Sequence, residues 1–377
     1  DMELRNLQNN IVGQEASRLF ARAEINMGVE AFRDSLYSLL KRNTFLNIKF
    51  ENMLDTLGEI SRTDIRSLLG EWEKTTPLPF YSLGEPTLTK ITNKGGEEFF
   101  VLKMLISNNS DYDGIIHMDI RKDGWWYQPL EDPRAKTKIE MPAHTSKEFV
   151  SVWEDQIRNV EINTMVSGNL PNIISQDINN VKQERNKIVK DSIYILPESS
   201  FDLPGEIIVD NEDSTLFILS APPIVGLLPK WLDEVEETPF KYSGISWWRP
   251  PLQWTATTND RYYGKYIRSA FVIKSGDGSQ TATWKVPVPE VGQYDLYYHV
   301  FKDDELRWNN NLQGEYHFKV KYGSEVEDAY VNLRKANEGW EQLGSYYFDS
   351  DTIRVVLTDE CKLRSVTADA VKIVKRY

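Results

Sequence analysis

Over the last third of the chain, apolar and polar residues alternate in short runs that are separated by turn residues. Alternation with a period of two predicts strands that have one buried and one exposed face. Strands of this kind need a second layer to cover the apolar face, so this part of the chain has to fold as packed sheets. Short landmarks follow one another in this region: 262–266 (YYGKY), 282–286 (ATWKV), 291–297 (VGQYDLY), 339–344 (GWEQLG) and 368–373 (ADAVKI).

The order of these landmarks resembles the golvesin C-terminal-like family, also described as the xanthan lyase carbohydrate-binding-like domain. In that family a Trp precedes a Tyr-Gly turn, a Trp strand leads into a "VP..G.Y" hairpin, and a Gly-Trp-x-x-Leu-Gly step precedes a final Asp-Ala-Val strand. The resemblance implies a golvesin-like β-sandwich over 205–377, opened by the strand IIVDN and interrupted by an insertion at about 214–243. It also places four aromatic residues in the core: Trp254, Trp284, Tyr294 and Trp340.

The first part of the chain has a different periodicity. Apolar residues in 1–78 recur at the spacing of one helix face, and Pro77 ends the pattern, so we expect a helical segment there. From 79 to 170 the rhythm is that of an immunoglobulin-like β-sandwich. Its strands are expected near 87–92, 98–106, 114–121, 136–141, 147–153 and 158–164. The fold class is therefore mainly β with an α-helical N-terminal region.

Residues 40–170 also resemble the helical tail and immunoglobulin-like domain of membrane-bound aminopeptidase-N-like proteins. The resemblance depends on the Trp72 to Pro79 step and on the hairpin turn near 107–114. A zinc peptidase of that class needs a His-Glu-x-x-His helix, and this sequence has none. The resemblance therefore implies the accessory end of a larger polypeptide without the catalytic part.

Residues 171–204 are polar and weakly patterned, and we predict a connector. Within it, 177–190 is compatible with a solvent-exposed helix or with an extended segment. A net charge of −13 argues against nucleic acid as a partner. Cys361 is the single cysteine, so an internal disulfide is excluded. No signal peptide or apolar run of membrane-spanning length is present, so membrane association is expected only through segments outside this chain.

Catalytic chemistry has little support in the sequence. It contains no Gly-x-Ser-x-Gly elbow, and nothing in it pairs two carboxylates across a cleft. The cluster 210–213 (DNED) offers oxygen ligands to calcium, but a solvated turn is the preferred interpretation, and Asp369 is interpreted as a local hydrogen-bonding anchor. We predict no catalytic residue, no metal site and no cofactor.

Sugar binding is the sharper prediction, because aromatic rings that stack on pyranose faces stand beside polar groups in loop-rich stretches. Packing between the insertion and its host sandwich is the alternative for the Trp residues among them. The candidate ligand-binding residues are Trp247, Trp248, Arg249, Tyr262, Tyr263, Arg307, Trp308, Asn309 and Asn310.

The golvesin-like family is associated with cell-surface and polysaccharide-acting proteins. The resemblance thus implies a non-catalytic, periplasmic or cell-surface region of a bacterial envelope protein, with a glycan as ligand and other domains of the same polypeptide as partners. The alternative is a structural scaffold that positions an upstream peptidase-like domain. A hydrolase is the third hypothesis.

Overall fold

The computed structural model describes residues 20–21, 23–25, 27–44, 46–61, 77–122, 128–185, 189–197, 205–220, 241–242, 244–246, 249–302 and 314–376. The chain divides into two compact units, Asp1–Ser200 and Phe201–Tyr377. Within the described part of the chain, no helix has both the length and the apolar composition that a membrane crossing requires.

Two helices of the first unit form a small packed pair. They are α1, Val29–Arg42, and α2, Phe50–Ser61. Glu30 in the first turn of α1 and Lys41 and Arg42 in its last turn match the helix dipole. Apolar side chains of the two helices and of the residues before them meet in one cluster, which confirms helices within 20–61 of the predicted segment 1–78; residues 1–19 and 62–76 lie outside the described residues. The buried members of this cluster are Ala23, Phe32, Leu54 and Leu57.

The rest of the first unit is built from strands. They are β1 Tyr81–Leu83, β2 Thr87–Thr92, β3 Glu98–Asn108, β4 Gly114–Lys122, β5 Gln128–Pro129, β6 Lys136–Met141, β7 Thr145–Trp153, β8 Ile157–Asn163, β9 Ile173–Asp177, β10 Val181–Arg185 and β11 Ser192–Pro197. A 3₁₀ turn spans Pro133–Ala135. Sheet A has the order β10-β2-β3-β7-β11, with β1 paired to β3, and sheet B has the order β5-β4-β8-β9, with β6 paired to β4.

The two sheets share one apolar core. Sheet A contributes residues such as Leu102 and Met104, and sheet B contributes residues such as Ile116 and Ile162. Each of these side chains is at most 2% exposed. The arrangement is consistent with a β-sandwich, and the six strands expected between 87 and 164 are present as β2, β3, β4, β6, β7 and β8.

The segment predicted as a connector, 171–204, supplies strands instead. The helical alternative for 177–190 is wrong, because Val181–Arg185 pairs in parallel with β2 at the edge of sheet A. Ser192–Pro197 pairs antiparallel with β7 at the other edge. Backbone pairing with an existing sheet satisfies the hydrogen-bonding groups of a segment whose own side chains give little pattern.

The second unit is also built from strands. They are β12 Glu206–Val209, β13 Phe217–Ser220, β14 Thr255–Thr258, β15 Ser269–Lys274, β16 Thr281–Pro287, β17 Gly292–Val300, β18 Glu315–Tyr322, β19 Glu325–Asn332, β20 Gly339–Phe348, β21 Thr352–Thr358, β22 Ser365–Ala368 and β23 Val371–Lys375. Sheet C has the order β12-β23-β17-β20, sheet D has the order β13-β16-β21-β18-β19, and sheet E has the order β14-β15-β22. The predicted insertion at 214–243 contains β13, and 221–240 lies outside the described residues.

One aromatic-rich core holds these sheets together. Trp284 and Tyr294 are 0% and 1% exposed, and the half-buried Trp254 packs against the same core. Trp340 does not join it. A bulge opposite Leu296 and Tyr297 shifts the register of β20, which places Trp340 opposite His299 on the outer face of sheet C. The prediction that Trp340 is a core residue is therefore wrong.

Candidate functional site

A tight loop after β14 brings an aromatic side chain to the outer face of sheet C. The amide N of Asn259 donates to the carbonyl O of Arg268 at 3.1 Å and closes the loop. At Gly264 a Cβ atom would lie 1.9 Å from the carbonyl O of Ile267, so only glycine fits this position. The turn fixes the direction of the neighbouring Tyr263.

A fully buried carboxylate, Asp369, ties this loop to the sheet. The amide N of Tyr263 donates to both carboxylate oxygens of Asp369, at 3.2 Å each. The Nδ1 atom of His299 lies 2.8 Å from Oδ2 of the same carboxylate. Burial raises the pKa of Asp369, and the charge and hydrogen bond of His299 oppose that rise. Asp369 is thus the local hydrogen-bonding anchor that the sequence predicted.

Three rings meet above this anchor, and we call Tyr263, His299 and Trp340 the aromatic platform. The ring centroids are 5.8 Å apart for Tyr263 and His299, 5.1 Å for Tyr263 and Trp340, and 5.1 Å for His299 and Trp340. The rings are tilted or edge-on to one another, which is the favoured arrangement of aromatic pairs. All three residues are half-buried, so the platform reaches the surface.

A lysine borders the platform. The Nζ atom of Lys372 lies 4.8 Å from the ring centroid of Trp340 and 5.3 Å from that of Tyr297, which is within cation–π range. The same Nζ donates to Oε1 of Glu206 at 2.9 Å. Lysine and carboxylate together give the border both donors and acceptors.

Farther along the same face, a polar network surrounds Asp295. Its Oδ1 accepts from Nε2 of Gln342 at 3.0 Å and from the hydroxyl of Ser345. Its Oδ2 accepts from Nε of Arg376 at 2.8 Å. The outer face of sheet C therefore combines flat rings with side chains that can exchange hydrogen bonds.

A second acidic group, Asp210, lies beside the anchor. Burial raises the pKa of Asp210 to about 9, and the neighbouring charges of Asp369, Glu212 and Asp213 act in the same direction. The predicted turn at 210–213 is present, since the amide N of Asp213 donates to the carbonyl O of Asp210 at 3.1 Å, but it is not fully solvated: Asn211 is 4% exposed, and Glu212 accepts hydrogen bonds from Ser269, Tyr242 and Lys241. Within the described residues, no group of three or more His, Cys, Asp or Glu side chains is placed to hold a metal ion.

The sequence-predicted site residues fall into three groups. Tyr263 belongs to the aromatic platform. Tyr262 is 2% exposed and packs on Phe301 at a ring-centroid distance of 4.6 Å, while Arg249 is exposed and lies apart in an isolated bridge with Ser246. The remaining candidates lie outside the described residues: Trp247, Trp248, Arg307, Trp308, Asn309 and Asn310.

Sequence reasoning missed His299, Lys372 and the outward position of Trp340. His299 stands at an alternating outward position of a strand, which was a usable signal. Lys372 and Trp340 carry no comparable signal, since their proximity depends on the pairing of β17 with both β20 and β23.

The second unit is similar in sequence to a known protein family. Residues 250–375 match the sequence model of the Golvesin C-terminal domain. A search of curated proteins gives no match.

Among solved structures, the chain is similar to a β-glucuronidase of Bacteroides uniformis, at 12% identity over 84% of this chain and 32% of that one, with a TM-score of 0.23. A Bacteroides uniformis β-glucuronidase 2 bound to cyclophellitol-6-carboxylate aziridine gives 14% identity, 84% and 32% coverage, and a TM-score of 0.22. The Sulfolobus turreted icosahedral virus structure gives 9% identity, 81% and 95% coverage, and a TM-score of 0.17. The chain spans about a third of the length of the glucuronidases.

Proposed function

We propose that this chain is a non-catalytic binding region of a larger bacterial envelope protein and that it recognises a glycan through the aromatic platform. The supporting observation is a group of half-buried rings, Tyr263, His299 and Trp340, fixed by a buried carboxylate and bordered by hydrogen-bonding side chains. A pyranose ring has an apolar C–H face that packs on an aromatic ring, and its hydroxyls need donors and acceptors.

The match of residues 250–375 to the Golvesin C-terminal domain supports the same ligand class, because that family is also described as a carbohydrate-binding-like domain. In this proposal the region works outside the cytoplasm, and its partners are a glycan and other domains of the same polypeptide. The first unit serves as an immunoglobulin-like arm, in the manner of the accessory end of aminopeptidase-N-like proteins.

The test is binding to a panel of immobilised polysaccharides, measured for the wild type and for Trp340→Ala and Tyr263→Ala. The Tyr263 substitution removes a ring but keeps the backbone N–H that donates to Asp369. We expect each variant to lose binding at least tenfold, equivalent to about 1.4 kcal/mol. Tyr112→Ala removes a 41% exposed tyrosine of the first unit and is the matched control.

A parallel variant, Trp308→Ala, tests the stronger of the sequence-based candidates. If Trp308→Ala abolishes binding and Trp340→Ala leaves it intact, the ligand lies at the loop and the platform proposal fails. Absence of binding to every polysaccharide by a folded wild type favours the structural scaffold.

A hydrolase is the second candidate, and one observation favours it. Burial raises the pKa of Asp210 to about 9, and the charge of Asp369 contributes to this rise, so two carboxyl groups lie near each other; glycosidases act through a pair of carboxyl groups. Asp369 already accepts hydrogen bonds from Tyr263 and contacts His299, which makes it an anchor in our proposal. If the wild type releases reducing sugar ends from the polysaccharides of the panel and the Asp369→Asn variant does not, the result would favour catalysis.

A further inference from the structure

The outer face of sheet D carries a row of positive charges. Lys285 of β16 is the register partner of Arg354 of β21, and Arg354 is in turn the register partner of Lys321 of β18. Lys319 lies two residues before Lys321, on the same face of β18. We call these four residues the cation row: Lys285, Lys319, Lys321 and Arg354.

Like charges directly opposite one another destabilise a sheet. The chain has 57 Asp and Glu against 44 Lys and Arg, so acidic residues are plentiful. Yet across the ranges that the structure describes, no carboxylate lies within salt-bridge distance of any member of the cation row.

The neighbouring acidic side chains are engaged by a histidine. Asp328, the register partner of Lys319, has its Oδ1 atom 2.6 Å from Nε2 of His317. Oε2 of Glu360 lies 3.5 Å from Nδ1 of the same ring. Both carboxylates thus lie against the His317 ring beside the cation row.

An exposed ring completes this face. Tyr330 stacks on His317 with ring centroids 4.8 Å apart and an interplanar angle of 7°, and it is still 56% exposed. One of its ring faces is therefore covered by the imidazole while the other is open to solvent. Glu315, Asn332 and Glu360 border the groove beside it and offer hydrogen-bonding groups.

We propose that the outer face of sheet D binds an acidic polysaccharide, with the cation row holding its carboxylate or sulfate groups and Tyr330 stacking on a sugar ring. Adjacent strands are about 4.8 Å apart, which is comparable to the length of one pyranose unit, so successive charged sugars match successive strands. A polyanion also removes the repulsion within the row.

Single-stranded nucleic acid is less suited to this face. It prefers several aromatic rings along a basic groove, whereas here one stacked pair stands at the end of the row. Glu315 and Glu360 beside Tyr330 offer acceptors to sugar hydroxyls at the end of the face away from Lys285 and Arg354. This proposal concerns a different face from the aromatic platform, and either one can fail alone.

The experiment measures affinity of the full chain for polygalacturonate, alginate and chondroitin sulfate at several salt concentrations. We expect wild-type binding to at least one polymer, and at least a tenfold loss in the triple variant Lys285→Gln, Lys321→Gln, Arg354→Gln, with a shallower salt dependence. Tyr330→Ala should weaken binding to the same polymer and keep the salt dependence. If the triple variant does not fold, the single variant Lys321→Gln should still show a lower affinity for the same polymer.

The matched control is Lys41→Gln, Lys49→Gln, Lys94→Gln, which removes three exposed lysines of the first unit and makes the same change in net charge. An equal loss in this control would mean general charge attraction and would overturn the proposal. So would failure of all three polymers to bind, or tighter binding of single-stranded DNA or phosphatidylglycerol vesicles through the same cations. Tyr263→Ala should keep polygalacturonate binding, which separates this face from the platform.

Discussion

Replacing Asp210 by asparagine should change how the stability of the second unit depends on pH. In the folded protein, burial raises the pKa of Asp210 to about 9. In an unfolded chain an aspartate has a pKa of about 3.9. Between these values the folded state holds a proton that the unfolded state has lost, so the free energy of unfolding falls as the pH rises.

The size of this pH dependence follows from the difference of one bound proton between the folded and unfolded states. Each pH unit in that window lowers the free energy of unfolding by about 1.4 kcal/mol, which gives about 4 kcal/mol between pH 5 and pH 8. The Asp210→Asn variant would keep a neutral amide beside Asp369, and this amide does not titrate. We expect the pH dependence over this range to become clearly shallower, with the variant more stable than the wild type at pH 8; Asp369, whose pKa burial also raises, keeps a contribution of the same sign.

The assay is guanidinium unfolding at pH 5, 6, 7 and 8, with hydrogen exchange of peptides from β17 and β23 to report on the second unit. The control is Asp349→Asn, which removes an exposed carboxylate of the same unit and should leave the slope unchanged. A wild-type stability that rises from pH 5 to pH 8, or a slope that is the same in Asp210→Asn, would refute the reasoning.

Two further substitutions test local geometry. Gly264→Ala places a Cβ atom 1.9 Å from a carbonyl oxygen and should destabilise the second unit by about 3 kcal/mol, whereas Gly244→Ala meets nothing within 4 Å and should have little effect in the same denaturation assay. Asn169→Ala removes two buried hydrogen bonds to the backbone of Tyr81, of 2.9 and 2.8 Å, and should lower the free energy of unfolding by about 2–4 kcal/mol, measured by thermal unfolding. The control is Asn52→Ala, which changes an exposed residue. A similar loss of stability in that control would contradict the prediction.

The strands could be predicted well wherever one side faces the core. The expected strand at 114–121 is Gly114–Lys122, and its buried residues alternate with less buried ones. Alternation with a period of two is written directly in the sequence, because the core accepts apolar side chains at every second position. The same reasoning failed for Val181–Arg185, where no residue is buried and pairing with β2 alone makes the strand.

The candidate site was only partly accessible from the sequence. Tyr263 was predicted, since it stands in a loop with a glycine that marks a turn. The outward position of Trp340 depends on a bulge, and the raised pKa of Asp210 depends on its burial and its proximity to Asp369. Register shifts between strands, and charged groups that are close only in the folded chain, produce no periodic pattern in a single sequence. These features could therefore be found only in the structure.

On the outer faces of the second unit, packing does not explain which residues are present. Inward positions such as Trp284, Leu296 and Phe318 are 0% exposed, and packing alone accounts for their apolar side chains. Outward positions of the same strands accept almost any polar residue, so packing does not account for a row of cations or a cluster of rings there. A like-charged row even lowers stability. The proposed polyanion would supply a reason, because its negative charges would offset the repulsion within the cation row.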